Sequence, residues 1–189
     1  MKLFAVIFSC CVLSNTVFAD NLISIDQIGS YNTINVSQDG TGHTADVKLG
    51  ADSSVDNTYI AITQQGTGTK NANVEIRSGI NNTVTIGQDG AGNHVTSIQN
   101  LNGSANGITV NQTGNSSHTF NVLGQTGTTN SGNTINATQS GSGSKSFDLT
   151  LGGSSGASVT VEQTNTNQSN SGSMTIQCMT CGSYSYIRQ

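Results

Sequence analysis

"NTINVSQDGTGH" (residues 32–43) and "NTVTIGQDGAGN" (residues 82–93) are one phrase written twice in the chain. Each opens on Asn, sets an apolar residue at every second position, closes on Gln and passes through Asp-Gly into a small polar loop. Alternation with period two belongs to a β-strand and not to a helix. Asn32, Ile34, Val36 and Gln38 share one face, as do Asn82, Val84, Ile86 and Gln88. The opposite faces, Thr33, Asn35, Ser37 and Thr83, Thr85, Gly87, are small or polar. The first face is the inside, so a polar amide stands at each end of a short buried strand.

Anchored on the closing Gln, the same pattern recurs at 21–27, 32–38, 58–64, 82–88, 106–112, 133–139, 157–163 and 183–189. From Gln38 to Gln189 the spacings are 26, 24, 24, 27, 24 and 26 residues. A sustained period of this length is the mark of a repeat architecture. Between these strands lie less regular ones at 43–49, 70–76, 93–99, 118–124, 145–151 and 172–178. Each unit therefore reads strand, tight arc, strand, loose arc. The tight arc is Gln-x-Gly-x-x-Asn or a one-residue extension of it, and the loose arcs absorb the variation in length.

One such unit cannot bury its apolar face, but units stacked at ~4.8 Å can, because each strand then pairs with its neighbours above and below. Stacking also explains the inward amides. Isolated, each would cost a few kcal/mol to bury; aligned one above another, they hydrogen-bond along the stack. The expected fold is all-β, a β-solenoid of about six strand–arc–strand units with a half unit at each end. The expected ladder positions are Asn21, Gln27, Asn32, Gln38, Gln64, Asn82, Gln88, Asn93, Gln99, Asn106, Gln112, Asn133, Gln139, Gln163, Ser183 and Gln189.

Composition agrees with a stack of strands. The chain has no Pro, no Trp, 23 Gly and only 8% charged residues. Proline interrupts strand ladders, so its absence leaves the whole repeat region free to pair. Residues 1–19 have the layout of a secretory leader, one Lys, an apolar run and Val-Phe-Ala, which makes 20–189 the repeat domain of an exported protein. Without Lys2, ten acidic residues face five basic ones. That balance offers no basic patch for nucleic acid, and no later apolar run is long enough for a transmembrane helix.

The motif Asn21-x5-Gln27-x-Gly29-x-x-Asn32-x-Ile34-x3-Gln38 resembles the curlin repeat of bacterial curli amyloid fibres, and Asn82-x5-Gln88-x-Gly90-x-x-Asn93-x-Val95-x3-Gln99 resembles it too. Gln38-x-Gly40-x-x-His43-x-Ala45 keeps part of the pattern, and the final segment, Ser183-x5-Gln189, restores the family's Ser. Leu49, Ile76, Gly124, Leu151 and Cys178 depart from the second Gln. The resemblance implies an extracellular, surface-attached amyloid fibre subunit serving adhesion and biofilm matrix, major or nucleator in type. It also implies a companion subunit and an outer-membrane secretion pore as partners. The terminal amides Gln27 and Gln189 are then expected to template growth.

Other chemistry finds little footing. Cys178 and Cys181, in an exported chain, suggest a disulfide closing the last arc. His43, His94 and His118 fall in different units and read as arc residues, so no metal is expected of them, nor any cofactor. No Ser stands in a nucleophile motif near a usable base, and Asp39 and Asp89 read as turn residues; the chain is not expected to be an enzyme. Outward Thr pairs such as Thr83 and Thr85 allow a second reading, a non-polymerising solenoid that binds carbohydrate or ice.

Overall fold

The alternation read from the sequence is realised as two facing sheets. The computed structural model describes residues 20–50 and 53–189; the leader expected at 1–19 lies outside them. In chain order the strands are β1 (Leu22–Ile25), β2 (Thr33–Gly40), β3 (Thr44–Val47), β4 (Val55–Asp56), β5 (Tyr59–Gly66), β6 (Lys70–Val74), β7 (Gly79–Ile80) and β8 (Thr83–Asp89). They continue with β9 (His94–Gln99), β10 (Gly107–Thr113), β11 (His118–Gly124), β12 (Thr134–Ser140), β13 (Lys145–Leu151), β14 (Ser158–Gln163), β15 (Asn170–Ile176) and β16 (Ser183–Arg188).

One sheet has the order β1-β3-β6-β9-β11-β13-β15, the other β16-β14-β12-β10-β8-β5-β2. All pairings between these strands are parallel, as expected when the chain returns to the same edge once per turn. The pair β4 and β7 continues the stacking through the loose arcs. The fold is thus a β-solenoid of seven layers. Its end layers are complete two-strand turns, because 21–27 enters the sheet of β3 instead of standing alone as a half unit.

The core is a set of one-residue columns. Ile60, Val84, Ile108, Ile135 and Val159 form one, in register from layer to layer and buried. Across from it Ala45, Ala72, Thr96, Phe120 and Phe147 form another, with the two phenyl rings stacked at 6.0 Å between centroids. Side chains grow along this column as the stack rises. At the last layer Gly172 takes the position, and the Tyr186 ring from the opposite sheet fills it, 4.9 Å from Phe147.

The tight arcs are held by glycine. Gly66, Gly90, Gly114 and Gly141 stand above one another with φ of +96°, +106°, +127° and +105°. A Cβ built on any of the first three would lie 2.3–2.6 Å from the carbonyl oxygen of the next glycine. Backbone stacks on backbone here, and only Gly permits both the dihedral and the approach.

Candidate functional site: the side-chain ladders and the open ends

Because the strands pair in strict register, the closing glutamines form a continuous chain of hydrogen bonds. Gln38 Nε2 donates to Gln64 Oε1 at 2.7 Å, Gln64 to Gln88 at 2.9 Å and Gln88 to Gln112 at 2.9 Å. Gln112 then donates to Gln139 at 2.8 Å and Gln139 to Gln163 at 2.7 Å. The second Nε2 proton goes across to the opposite sheet, from Gln64 to Thr44 O, from Gln112 to Val95 O and from Gln139 to Thr119 O. Every amide from Gln64 to Gln163 is buried, and each link is satisfied by the layer above or below. The donors all point the same way along the stack.

The asparagines at the strand starts behave differently. Asn82, Asn106 and Asn133 are buried and linked, Asn106 Nδ2 to Asn82 Oδ1 and Asn133 Nδ2 to Asn106 Oδ1, each at 3.0 Å. Their Nδ2 groups also reach the stacked loose arc at Gly103 O, Asn130 O and Ser154 O. Asn32 makes the corresponding contacts, donating to Val55 O and accepting from the Thr58 N–H. Thr58 and Ala157 occupy this column in two layers, so it is a brace between strand and arc more than an unbroken ladder. Asn130, buried in a loose arc, donates to Leu101 O and accepts from the N–H groups of Gly153 and Ser154. It lies outside any alternating segment, so no periodicity in the sequence marks it.

Several expected ladder residues stand elsewhere. Asn93 and Gln99 face outward; the tight arc from Gln88 to His94 holds one residue more than that from Gln38 to His43, and a one-residue slip moves a strand's inward set to the outside. His94, Thr96 and Ile98 point in instead. Asn21 lies beside His43, bonding its N–H and donating to Gly40 O, and so belongs to the other sheet's column. Gln27 lies past the end of β1, exposed, with its amide on Gly29 O. In β16 the register pairs Ser158 with Ser183 and Gln163 with Arg188. Ser183 and Gln189 therefore face outward, Tyr184 and Tyr186 inward, and the ladder column ends on Arg188. The tyrosines set this register, since they pack against the core.

Just past the tight arcs lies a further inward column, of residues that the sequence assigns to the arcs: His43, Lys70, His94, His118 and Lys145, one per layer and all buried. They plug the inside of the tight arc and donate to its stacked carbonyls. Lys70 Nζ contacts the oxygens of Gly68, Gly90 and Gly92 at 2.7–2.9 Å, and Lys145 Nζ those of Gly143 and Gln168. His94 Nε2 reaches Asp89 O at 2.9 Å and His118 Nε2 reaches Thr113 O at 3.1 Å. The rings of His94 and His118, expected to be scattered, stack at 4.9 Å. Burial holds His94 neutral down to about pH 4 and lowers His118 as well; it also lowers Lys70, against a raising influence from Asp89, and Lys145.

Cys178 and Cys181 are bonded to each other, Cα to Cα 5.4 Å, in the arc that leads into β16. Among the described residues no three His, Cys, Asp or Glu side chains gather as a metal site. Among the described residues both ends of the stack are open. β1 and β2 at one end, β15 and β16 at the other, have a strand neighbour on one side only. Ile23 and Ile25 sit in core columns yet are 43% and 49% exposed, against 0% for Ile60.

Buried amide ladders, stacked glycine arcs and open ends define the class: an all-β solenoid whose layers are copies of one strand–arc–strand unit. Residues 19–48, which carry β1, β2 and β3, match the model of the curlin associated repeat, and that match supports a curlin-family assignment. No curated protein and no solved structure matches the chain.

Proposed function

We propose that the protein is a subunit of an extracellular curli-type fibre, built by adding copies end to end and serving adhesion and biofilm matrix. The observation that carries this reading is the state of the ends. Soluble β-proteins blunt an edge with Pro, Lys, a bulge or a covering loop. Here the described end strands carry no Pro, no Lys and no covering loop, Arg188 of β16 is the one charge in their inward columns, and inward-facing apolar residues are left half open. A further copy supplies what is missing, strand partners and a continued core. A chain arriving unfolded would register its Gln and Asn positions on the ladder at a fibre end and become the next template.

The curlin repeat at 19–48 supports the same reading and a structural rather than an enzymatic role. By the same family logic, a companion subunit or nucleator and an outer-membrane secretion pore are the expected partners. The test follows thioflavin T fluorescence of purified protein diluted from denaturant, with electron microscopy at the endpoint. A lag, growth, a lag shortened by seeds, and fibrils are expected. A soluble, strand-rich monomer that persists for days would overturn this reading and favour a non-polymerising solenoid that binds through its polar outer face.

A further inference from the structure

The ladder has a direction, and its two ends differ. Each Gln Nε2 donates to the Oε1 of the following layer, from Gln38 to Gln163. At the first layer, Gln38 Oε1 has no donor among the described residues. At the last, Gln163 keeps the cross-sheet bond to Ser146 O, and its other proton turns to Asn170 O at 3.5 Å in place of a ladder partner, the next position in the column being Arg188. Arg188 can only donate. Its side chain makes no hydrogen bond among the described residues and rests over the Tyr186 ring, 5.7 Å from the centroid. One end of the ladder thus offers an unfilled acceptor, and the other an uncommitted donor.

Charge is divided the same way. The first layer, residues 20–42, carries Asp20, Asp26 and Asp39 and no Lys or Arg; the last, residues 164–189, carries Arg188 as its one charged side chain. Stacking first layer on last sets acids against a base, whereas first on first, or last on last, sets like against like. The last layer also has an open cleft of about 400 Å³ between β15 and β16, lined by Asn170, Tyr186 and Arg188 among others. Continuing the register of both sheets brings Ile23 of a second copy over Gly172 and Gln38 over Arg188.

Resting on the end-to-end fibre reading above, we propose that Arg188 of one copy and Gln38 of the next form the contact that sets the joint, the Arg188 guanidinium donating to the Gln38 amide oxygen where last layer meets first. Arg188 and Gln38 are the residues that select the partner face. The partner is a second copy of this chain.

Two measurements on the full chain with Cys10→Ser and Cys11→Ser test it. Asn35 and Ser185 are exposed and belong to one outward column, so in the proposed joint they become neighbours on adjacent strands, within disulfide reach. Fibres grown from an equal mixture of Asn35→Cys and Ser185→Cys chains should oxidise to mixed dimers. Symmetric dimers, or no dimers in fibres that do form, would overturn the proposal. In seeded growth, Arg188→Gln, which keeps a donor, should elongate within twofold of the parent, and Arg188→Glu at least tenfold slower. Equal rates for Arg188→Glu and the parent would overturn it while leaving the fibre reading intact. Absence of any fibre from the parent chain would instead sink both.

Discussion

Gln112 accepts from Gln88 at 2.9 Å and donates to Gln139 at 2.8 Å, so a single side chain joins three layers of the stack. Its Oε1 also takes the Thr96 hydroxyl, and its second proton satisfies Val95 O. Removing it strands partners on both sides at a site closed to water. Gln112→Ala should therefore destabilise the folded chain by about 2–4 kcal/mol, the cost of leaving several buried polar groups unmade. Gln27→Ala, at an exposed amide bonded only to its own turn, should change stability by less than ~0.5 kcal/mol. Denaturant midpoints of the two variants check the contrast. It reverses what sequence alone suggests, since Gln27 carries the better motif.

Gly90→Ala tests whether the arcs stack by backbone. The alanine would need φ near +106° and would set its Cβ 2.4 Å from Gly114 O. The layers must part locally, at a cost of several kcal/mol. Gly107→Ala, with nothing within 4 Å of the new Cβ, should be neutral or slightly stabilising through the unfolded state. If thermal melts place the two variants together, the arc glycines are not in contact.

Strand parity decides which inward residues are legible in the sequence. Gln38, Gln64, Gln88, Gln112, Gln139 and Gln163 were legible because period-two alternation and a period near 25 both fix them, and the hydrogen-bonded ladder joins these six. Asn93 and His94 were not separable on those grounds. A repeat motif aligned through the arc assigns Asn93 to the inside, but the extra arc residue turns the strand over, and a sequence offers no direct measure of which arcs take that residue. The same one-step ambiguity misplaced Gln189 against Arg188, where two tyrosines and not the Gln set the register. Asn130 was invisible for another reason: loose arcs stack through their backbones, so their sequence carries no period.

Acid should weaken the fold through the buried imidazoles. His94 is neutral in the folded chain until about pH 4, whereas an unfolded histidine protonates near 6.5. Between these values the unfolded state holds more protons, so stability falls as pH drops from ~6.5 to ~4 and levels below that. His118 acts in the same direction, and His94 on its own contributes about 3 kcal/mol. Asparagine, already found in this column at Asn170, is the natural replacement. Denaturant midpoints at pH 7 and pH 4.5 should differ markedly for the parent and much less for the His94→Asn, His118→Asn double variant. An equal drop in both would assign the acid effect to other groups.

Lys70 shows what the column is for. Its ammonium fills the hollow of a tight arc and donates to three carbonyls, those of Gly68, Gly90 and Gly92, two of them in the next layer. Stacked arcs bring their carbonyls together, and those not used by the sheets need a donor that water cannot supply. Methionine matches lysine in length but has no donor. Lys70→Met should leave three buried oxygens bare and lower stability by about 3–5 kcal/mol. Lys70→His should lose much less, because His94 and His118 meet the same need in neighbouring layers with one Nε2 each. The comparison separates a requirement for a donor from a requirement for charge. If Lys70→His were as damaging as Lys70→Met, charge would be the essential property; if Lys70→Met were harmless, the carbonyls would have to be reaching solvent.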